Sequence, residues 1–339
     1  MKIILTIAII ISTISNVGFT NAQVHERLLN ENWKARRAVD VMTDGNTITE
    51  EGFTPEGWIE AIVPGTVLTT LLHNNQIPDP FFGMNNAQIP DVFETGRDYY
   101  TYWFYNEFEL PEIRDGQQVW LVFRGINYFA DIFLNGYRVN KVMHQGMYLR
   151  EKYLVTPYLK KGKSNKLAVW VAPPDPVGNA STGQGGDGTI GRNVTMQCTA
   201  GWDWICPIHD RNTGIWDQVS LEITGDVDIR NPYVEPRVPG IRIPGKQKDP
   251  AFVNSSVELK NGSGKNVTGI VKAKIGKKEI SVKVSLTPLE EKMVRFPEIE
   301  ISAPDLWWPN GMGEHPMTSL KFEFSLPDGM VSDSEHVDF

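Results

Sequence analysis

Cysteine is almost missing from this sequence: Cys198 and Cys206 are its only two. A fold stapled by disulfides is therefore excluded, and stability must come from apolar burial. The only histidine near the pair is His209, too little for a zinc set. In an oxidising compartment the two thiols could bridge the short loop between them, or they could stay reduced, and the spacing leaves both open. Long apolar runs are missing as well. Ile3 to Ile11, interrupted by Thr6, is too short to span a bilayer, and no later stretch is long and apolar enough for a membrane helix. Basic charge is not in surplus: the formal net charge is −8, which leaves no basic face for nucleic acid. No nucleophile elbow, phosphate loop, dinucleotide fingerprint or His-Glu-x-x-His pair occurs. The six histidines are scattered, and His209 and His315, each near acidic residues, read as solvated or packed. Neither a metal nor a cofactor is expected.

The chain opens with Met1-Lys2, the apolar run, a polar stretch and then Thr20-Asn21-Ala22. That is the layout of a secretory signal peptide over residues 1–22, and export to the periplasm or the outside is the expectation; an uncleaved anchor is the alternative. The remainder has the length of two ordinary domains, and a hydrophobic content of 41% is enough for two cores.

Short strands separated by turns dominate. Gln118 to Phe123 reads as a buried strand. Asp131 to Leu134, Asn135-Gly136 and Tyr137 to Val139 read as a hairpin, because Asn-Gly supplies the positive φ angles of a tight turn. Lys166 to Val171 and Val219 to Ile223 are further strands. Thr66 to Asn75 reads as a helix, with Val67, Leu71 and Leu72 on one face after Pro64-Gly65. After Gly225, Ser256 to Leu259, Gly269 to Ile275, Ile280 to Leu286 and Leu320 to Leu326 alternate in character, with turn pairs Asn261-Gly262, Gly276-Lys277 and Asp328-Gly329. This pattern predicts an immunoglobulin-like sandwich without its disulfide. Tyr233 to Pro250, rich in Pro and Gly, reads as an entry loop or linker. Asn-x-Ser/Thr triplets stand at Asn179, Asn193, Asn254, Asn261 and Asn266, and matter only in a host that glycosylates them.

The segment from Pro173 to Trp216 has little periodicity, and its second half carries three tryptophans. A loop this long in a compact domain is functional or disordered, and the tryptophans argue against disorder. Its densest part is Gly201-Trp202-Asp203-Trp204-Ile205-Cys206-Pro207, followed by Asp210-Arg211-Asn212-Thr213-Gly214-Ile215-Trp216-Asp217. A tryptophan face packs on the C–H face of a pyranose, and a carboxylate accepts hydrogen bonds from two neighbouring hydroxyls. The same residues also fit a carboxylate tying down a loop among core tryptophans, and spacing alone does not choose. Asp203, Asp210 and Asp217 recur every seven residues, a coincidence in a segment that does not read as a helix. A retaining glycosidase needs two carboxyl groups about 5–5.5 Å apart, and no such pair can be singled out.

Several motifs resemble the front of glycoside hydrolase family 2. They are Val63-Pro64-Gly65-Thr66-Val67-Leu68, Ile77-Pro78-Asp79-Pro80-Phe81-Phe82-Gly83-Met84-Asn85, Tyr102 to Phe108, Phe123 to Ala130, the Asn135-Gly136 hairpin and Leu306-Trp307-Trp308-Pro309-Asn310-Gly311. They run in the family's order over the mature chain. The Gly201 to Trp204 and Asp210 to Gly214 runs are most similar to the β-mannosidase, exo-β-glucosaminidase and plant-type endo-β-mannosidase branch. The resemblance implies an all-β chain: a jelly-roll, galactose-binding-like sandwich over 23–225, then an immunoglobulin-like sandwich over 226–339. It implies part of a retaining β-glycosidase of carbohydrate metabolism, acting on β-mannosides or β-glucosaminides, with a free-standing carbohydrate-binding module or an inactive remnant as alternatives. By the same resemblance Trp202 and Asp203 contact the terminal sugar. Trp204 contacts it too or packs beneath, and packing fits it better. Arg211 and Asn212 brace the loop. The implied partners are a terminal β-linked sugar and a catalytic barrel of the same polypeptide, with no nucleic acid and no membrane after signal cleavage.

The family's two catalytic glutamates lie in that (β/α)₈ barrel, at the C-terminal ends of its strands. Here His336-Val337-Asp338-Phe339 stands where the family's barrel would follow, inside a strand pattern, and is expected to be a truncation. No catalytic residue is assigned in this chain.

Overall fold

The computed structural model describes residues 25–110, 112–179, 187–189, 191–196, 208–246 and 249–339. The signal-like residues 1–22 and both cysteines lie outside them. The first half folds from strands β1 (His25–Leu28), β2 (Lys34–Arg37), β3 (Ile59–Glu60), β4 (Tyr102–Glu109), β5 (Gln118–Phe123), β6 (Phe129–Leu134), β7 (Tyr137–Arg138), β8 (His144–Gln145), β9 (Glu151–Leu154), β10 (Ser164–Ala172) and β11 (Val219–Thr224). They make a two-sheet sandwich of jelly-roll type. One sheet runs β1-β11-β5-β9; the other runs β3-β2-β4-β10-β6-β7, with β8 also paired to β6. Helices α1 (Gly45–Ile48), α2 (Val67–His73) and α3 (Val92–Thr95) lie in the connections.

The larger sheet is covered on both faces, which explains the unbroken apolar run at Tyr102 to Tyr105. Tyr102, Phe104, Phe108, Leu167, Val169 and Val171 point into the main core. Trp103, Tyr105 and Ala168 point the other way, under a second layer that includes Ile48, Phe53 and Trp58. The Asn-Gly turn is as expected: Asn135 and Gly136 have φ of 50° and 89° between β6 and β7.

A second sandwich follows from β12 (Val227–Arg237), β13 (Ala251–Asn261), β14 (Val267–Ile275), β15 (Lys278–Leu286), β16 (Glu291–Arg295), β17 (Ile299–Ile301), β18 (Ser319–Ser325) and β19 (Val331–Asp338). Its sheets are β12-β13-β16, with β17 also on β13, and β15-β14-β18-β19. Val253, Val257, Leu259, Val271, Phe322 and Phe324 fill the immunoglobulin-like core between them. One expectation is corrected here. Tyr233 to Arg237 is not linker but the second half of β12, paired with Phe252 to Ser256 after an irregularity between Arg230 and Tyr233. β12 is an edge strand, so Pro232 and Pro236 break no inner ladder. Asn261, one of the Asn-x-Ser/Thr asparagines, is buried, with its amide donating to the carbonyls of Lys265 and Thr287.

The sandwiches meet through a charged joint. Lys152 of β9 lies 2.6 Å from both Glu222 of β11 and Asp228 of β12, so one ammonium bridges the two halves. Asp228 also accepts from Arg230, whose guanidinium lies over the Trp120 ring. Burial, with Asp228 alongside, pushes the Asp333 carboxyl well above the usual carboxylate range. Burial also raises Glu335 to about 6. Removing one partner of a buried ionic cluster leaves uncompensated charge. Lys152→Met is therefore expected to cost about 3 kcal/mol in chemical denaturation at neutral pH. A raised carboxyl favours the folded state below its unfolded value and loses that advantage as pH rises through its folded value. Glu335→Gln should accordingly flatten the fall in stability between pH 4.5 and about 6, read by denaturation at each pH.

Candidate functional site

Trp202, Asp203 and Trp204 lie outside the described residues, and what the structure describes is how the residues on either side of them are held. On the far side, Arg211 is the anchor. Its backbone takes a φ of 52°, and its side chain is fully buried. A guanidinium has five N–H donors, and here all are used. Nη1 and Nη2 grip the two carboxylate oxygens of Asp91 at 2.8 and 2.9 Å. The remaining three donors reach the carbonyls of Val177, Ile208 and Gly178 at 3.1, 2.9 and 2.8 Å. Arg211 thus closes the long loop on itself, from 177–178 to 208–211, and has no donor left for a ligand. The bracing role expected of it is what the geometry shows.

Asp91 is pre-placed because it caps α3, accepting from the Phe93 amide at 2.8 Å. Burial opposes its charge, but His209 and the Arg211 guanidinium hold its carboxyl down to about 2. Nδ1 of His209 lies 3.3 Å from Asp91, while its Nε2 bonds the side-chain oxygen of Asn86 at 3.0 Å. The Pro80 to Asn86 loop, with Phe81, Phe82 and Met84 exposed, therefore abuts the same segment.

Asp210 does separate work. Its carboxylate is buried and accepts from the amides of Leu68, in the first turn of α2, and Asn212, each at 2.8 Å. Burial pushes this carboxyl up, against the lowering effect of those bonds and of the Thr66 hydroxyl. The neighbouring backbone is stitched to the start of α2 and the residues before it: Gly65 N donates to Ile215 O and Val67 N to Thr213 O, both at 2.8 Å. A Cβ on Gly214 would sit 2.6 Å from the Gly65 carbonyl, so only glycine fits that approach. Asn127 completes the brace. Its side-chain amide donates to the carbonyls of Arg211 and Asn212, and its backbone exchanges two bonds with Gly214. Asp217, the third of the seven-residue series, accepts from the amide of Gln218 on its Oδ1.

On the near side, Met196 is tied to Met147 by its amide, and Trp216 donates to the Met147 carbonyl at 2.9 Å. Tyr148, half exposed, meets Trp216 edge to face, and Gly125 makes room beneath the indole. Both flanks of residues 197–207 are thus fixed at one end of the first sandwich. Asp91 could have been found from its helix-cap position before Val92-Phe93-Glu94. Asn127 and Met147 carry no comparable local signal.

Comparison with known proteins agrees with this architecture. Residues 33–217 match the family model described as the glycosyl hydrolase 2 galactose-binding domain-like domain. The chain belongs to glycoside hydrolase family 2. Among curated relatives, the mannosylglycoprotein endo-beta-mannosidase of Lilium longiflorum is 36% identical over 324 residues, 91% of this chain and 33% of that protein. The exo-beta-D-glucosaminidase of Streptomyces avermitilis is 28% identical, over 86% of this chain and 30% of its own length. The exo-chitosanase of Amycolatopsis orientalis shares the fold with a TM-score of 0.73 at 24% identity, over 93% of this chain and 33% of that one. The family 2 chain thus spans about a third of the length of these relatives. Every strand pairing among its described residues is antiparallel. A (β/α)₈ barrel is built of parallel strands, so these sandwiches contain none of it.

Arg211→Met should lower stability by about 3–5 kcal/mol, because it strands the Asp91 carboxylate. A depressed carboxyl stabilises the fold above its ordinary value of 3.8, and that contribution is lost as pH falls through about 2. Denaturation of the Asp91→Asn variant at successive pH values should show that acid slope removed.

Proposed function

We propose that this chain is the non-catalytic front of an exported β-glycosidase acting on β-mannosides or β-glucosaminides. In this reading the 197–207 segment brings Trp202 and Asp203 to the terminal sugar. The Trp202 face packs on the ring and the Asp203 carboxylate accepts from two adjacent hydroxyls, with Trp204 as packing beneath. The observation that carries it is the bracing just described. Arg211, Asp91, Asp210 and Asn127 form a largely buried network of charge-assisted and amide hydrogen bonds that fixes the flank of one loop. Polar networks of that kind rigidify what they hold, and binding residues sit on loops positioned by a rigid scaffold. The similarity to the lily endo-beta-mannosidase supports the substrate class. A barrel of the same polypeptide would supply the acid/base and the nucleophile, and leave the loop as one wall of the pocket.

Two outcomes are expected of the purified chain. It should not hydrolyse an aryl β-mannoside or β-glucosaminide, since no described strand belongs to a barrel; turnover surviving replacement of its acidic residues would point to a contaminant. Titration with methyl β-mannoside or β-glucosaminide should change tryptophan fluorescence weakly and saturably, and Asp203→Ala should abolish the change. A response unaltered by Asp203→Ala would remove that residue from the site.

A further inference from the structure

His144 lies in β8 with its imidazole fully buried. Its Nδ1 is 3.0 Å from the Glu151 carboxylate in β9. Its Nε2 is 3.0 Å from the Gly146 carbonyl and 3.4 Å from that of Ile126. All three neighbours are acceptors with no hydrogen to give. A neutral imidazole carries one N–H and one lone pair, so a neutral ring would aim a lone pair at an oxygen whichever tautomer it chose. Only the doubly protonated ring fits.

The atoms it holds are those that hold the rim of the candidate site. Gly146 opens the turn that carries Met147 and Tyr148, and the Gly146 amide donates to Tyr128 O. Met147 takes the indole N–H of Trp216 on its carbonyl and the Met196 amide on its sulfur. Ile126 precedes Asn127, which grips the carbonyls of Arg211 and Asn212. One buried ring thus ties a strand of the smaller sheet to both backbone segments flanking the Trp216 side.

We infer that His144 is a positioning residue that works as a buried cation, and that losing one ring proton releases the Gly146 to Tyr148 turn and with it the Met147–Trp216 side of the candidate sugar site. The clamp stands on geometry alone; its bearing on sugar rests on the proposed function. The charged group against the ring is Glu151. Behind it stands Tyr153, hydrogen-bonded to Glu151, and then Asp131, which is paired with Arg138. Burial works against the imidazolium, but the Glu151 carboxylate and the two carbonyls more than offset it and raise His144 above its ordinary 6.5. The His144 bond lowers Glu151 in turn. A raised histidine stabilises the fold fully below its unfolded value and loses that contribution as pH rises through its folded value. The depressed glutamate contributes above its unfolded value and loses it toward acid. The clamp is therefore whole at mildly acidic to neutral pH and opens on the alkaline side.

The test is an NMR pH titration of the purified chain with histidine labelled with ¹⁵N in the ring and with the Trp216 indole N–H assigned through Trp216→Phe. His144 should keep both ring protons at pH 7, where a free imidazole is largely neutral. The Trp216 indole should shift with the same midpoint as His144 on raising the pH, and Glu151→Gln should move that midpoint toward acid. A neutral His144 at pH 7, or a Trp216 signal indifferent to the His144 titration, would overturn the clamp, and both are read on the wild-type chain, the Trp216→Phe variant serving only for assignment. Affinity for methyl β-mannoside should fall about five-fold across the same midpoint, the worth of one ordinary hydrogen bond. If Trp216 follows His144 but no sugar binds at any pH, the clamp stands and the proposed function fails.

Discussion

The arrangement of the candidate site's flanks depends on one buried ion pair, Arg211 with Asp91. A buried guanidinium is tolerable only when its charge is matched and every N–H is bonded. Both conditions are met by residues far apart in sequence, from 91, 177–178 and 208. Meeting them forces the two arms of the long loop together. The Asp210 carboxylate then fixes the same strand of chain to the start of α2, and Asn127 fixes it to the turn after β5. Without those constraints residues 208–212, the far flank of the 197–207 segment, would lose the bonds that locate them.

A second constraint works at longer range. Lys152 neutralises carboxylates from both sandwiches, so the smaller sheet of the first, which carries Lys152 and Glu222, is tied to the strand that begins the second. β9 also supplies Glu151, the counter-charge of His144 on the other side of the strand. Adjacent residues of one short strand therefore serve the joint between domains and the rim of the loop. Side chains alternate across a strand, and this is how one element serves two neighbourhoods.

Much of this was legible in the sequence. Gln118 to Phe123 and the Asn135-Gly136 hairpin follow from burial and turn chemistry and stand where they were expected. The helix expected over Thr66 to Asn75 is present as Val67–His73, with Thr66 as its N-cap rather than its first residue. The family could be read from motifs in order. Tyr233 to Arg237 was misread because Pro232 and Pro236 mark linker by composition, whereas an edge strand tolerates both. The partners of Arg211 and Lys152 were not legible, because a buried pair separated by 120 or 76 residues leaves no local pattern. His144 was hidden for a different reason: a lone histidine looks the same in sequence whether neutral or charged, and only its three acceptors decide.

The most direct test of the account is to follow the ten tryptophans individually while sugar is added. The chain would be labelled with 5-fluorotryptophan, its fluorine resonances assigned by Trp→Phe variants, and methyl β-mannoside titrated in at mildly acidic pH. The account predicts that Trp202 shifts saturably, that Trp216 responds less, and that the buried Trp33 and Trp120 stay still. No movement of Trp202 at saturating sugar, or movement confined to tryptophans of the second sandwich such as Trp307 and Trp308, would contradict it.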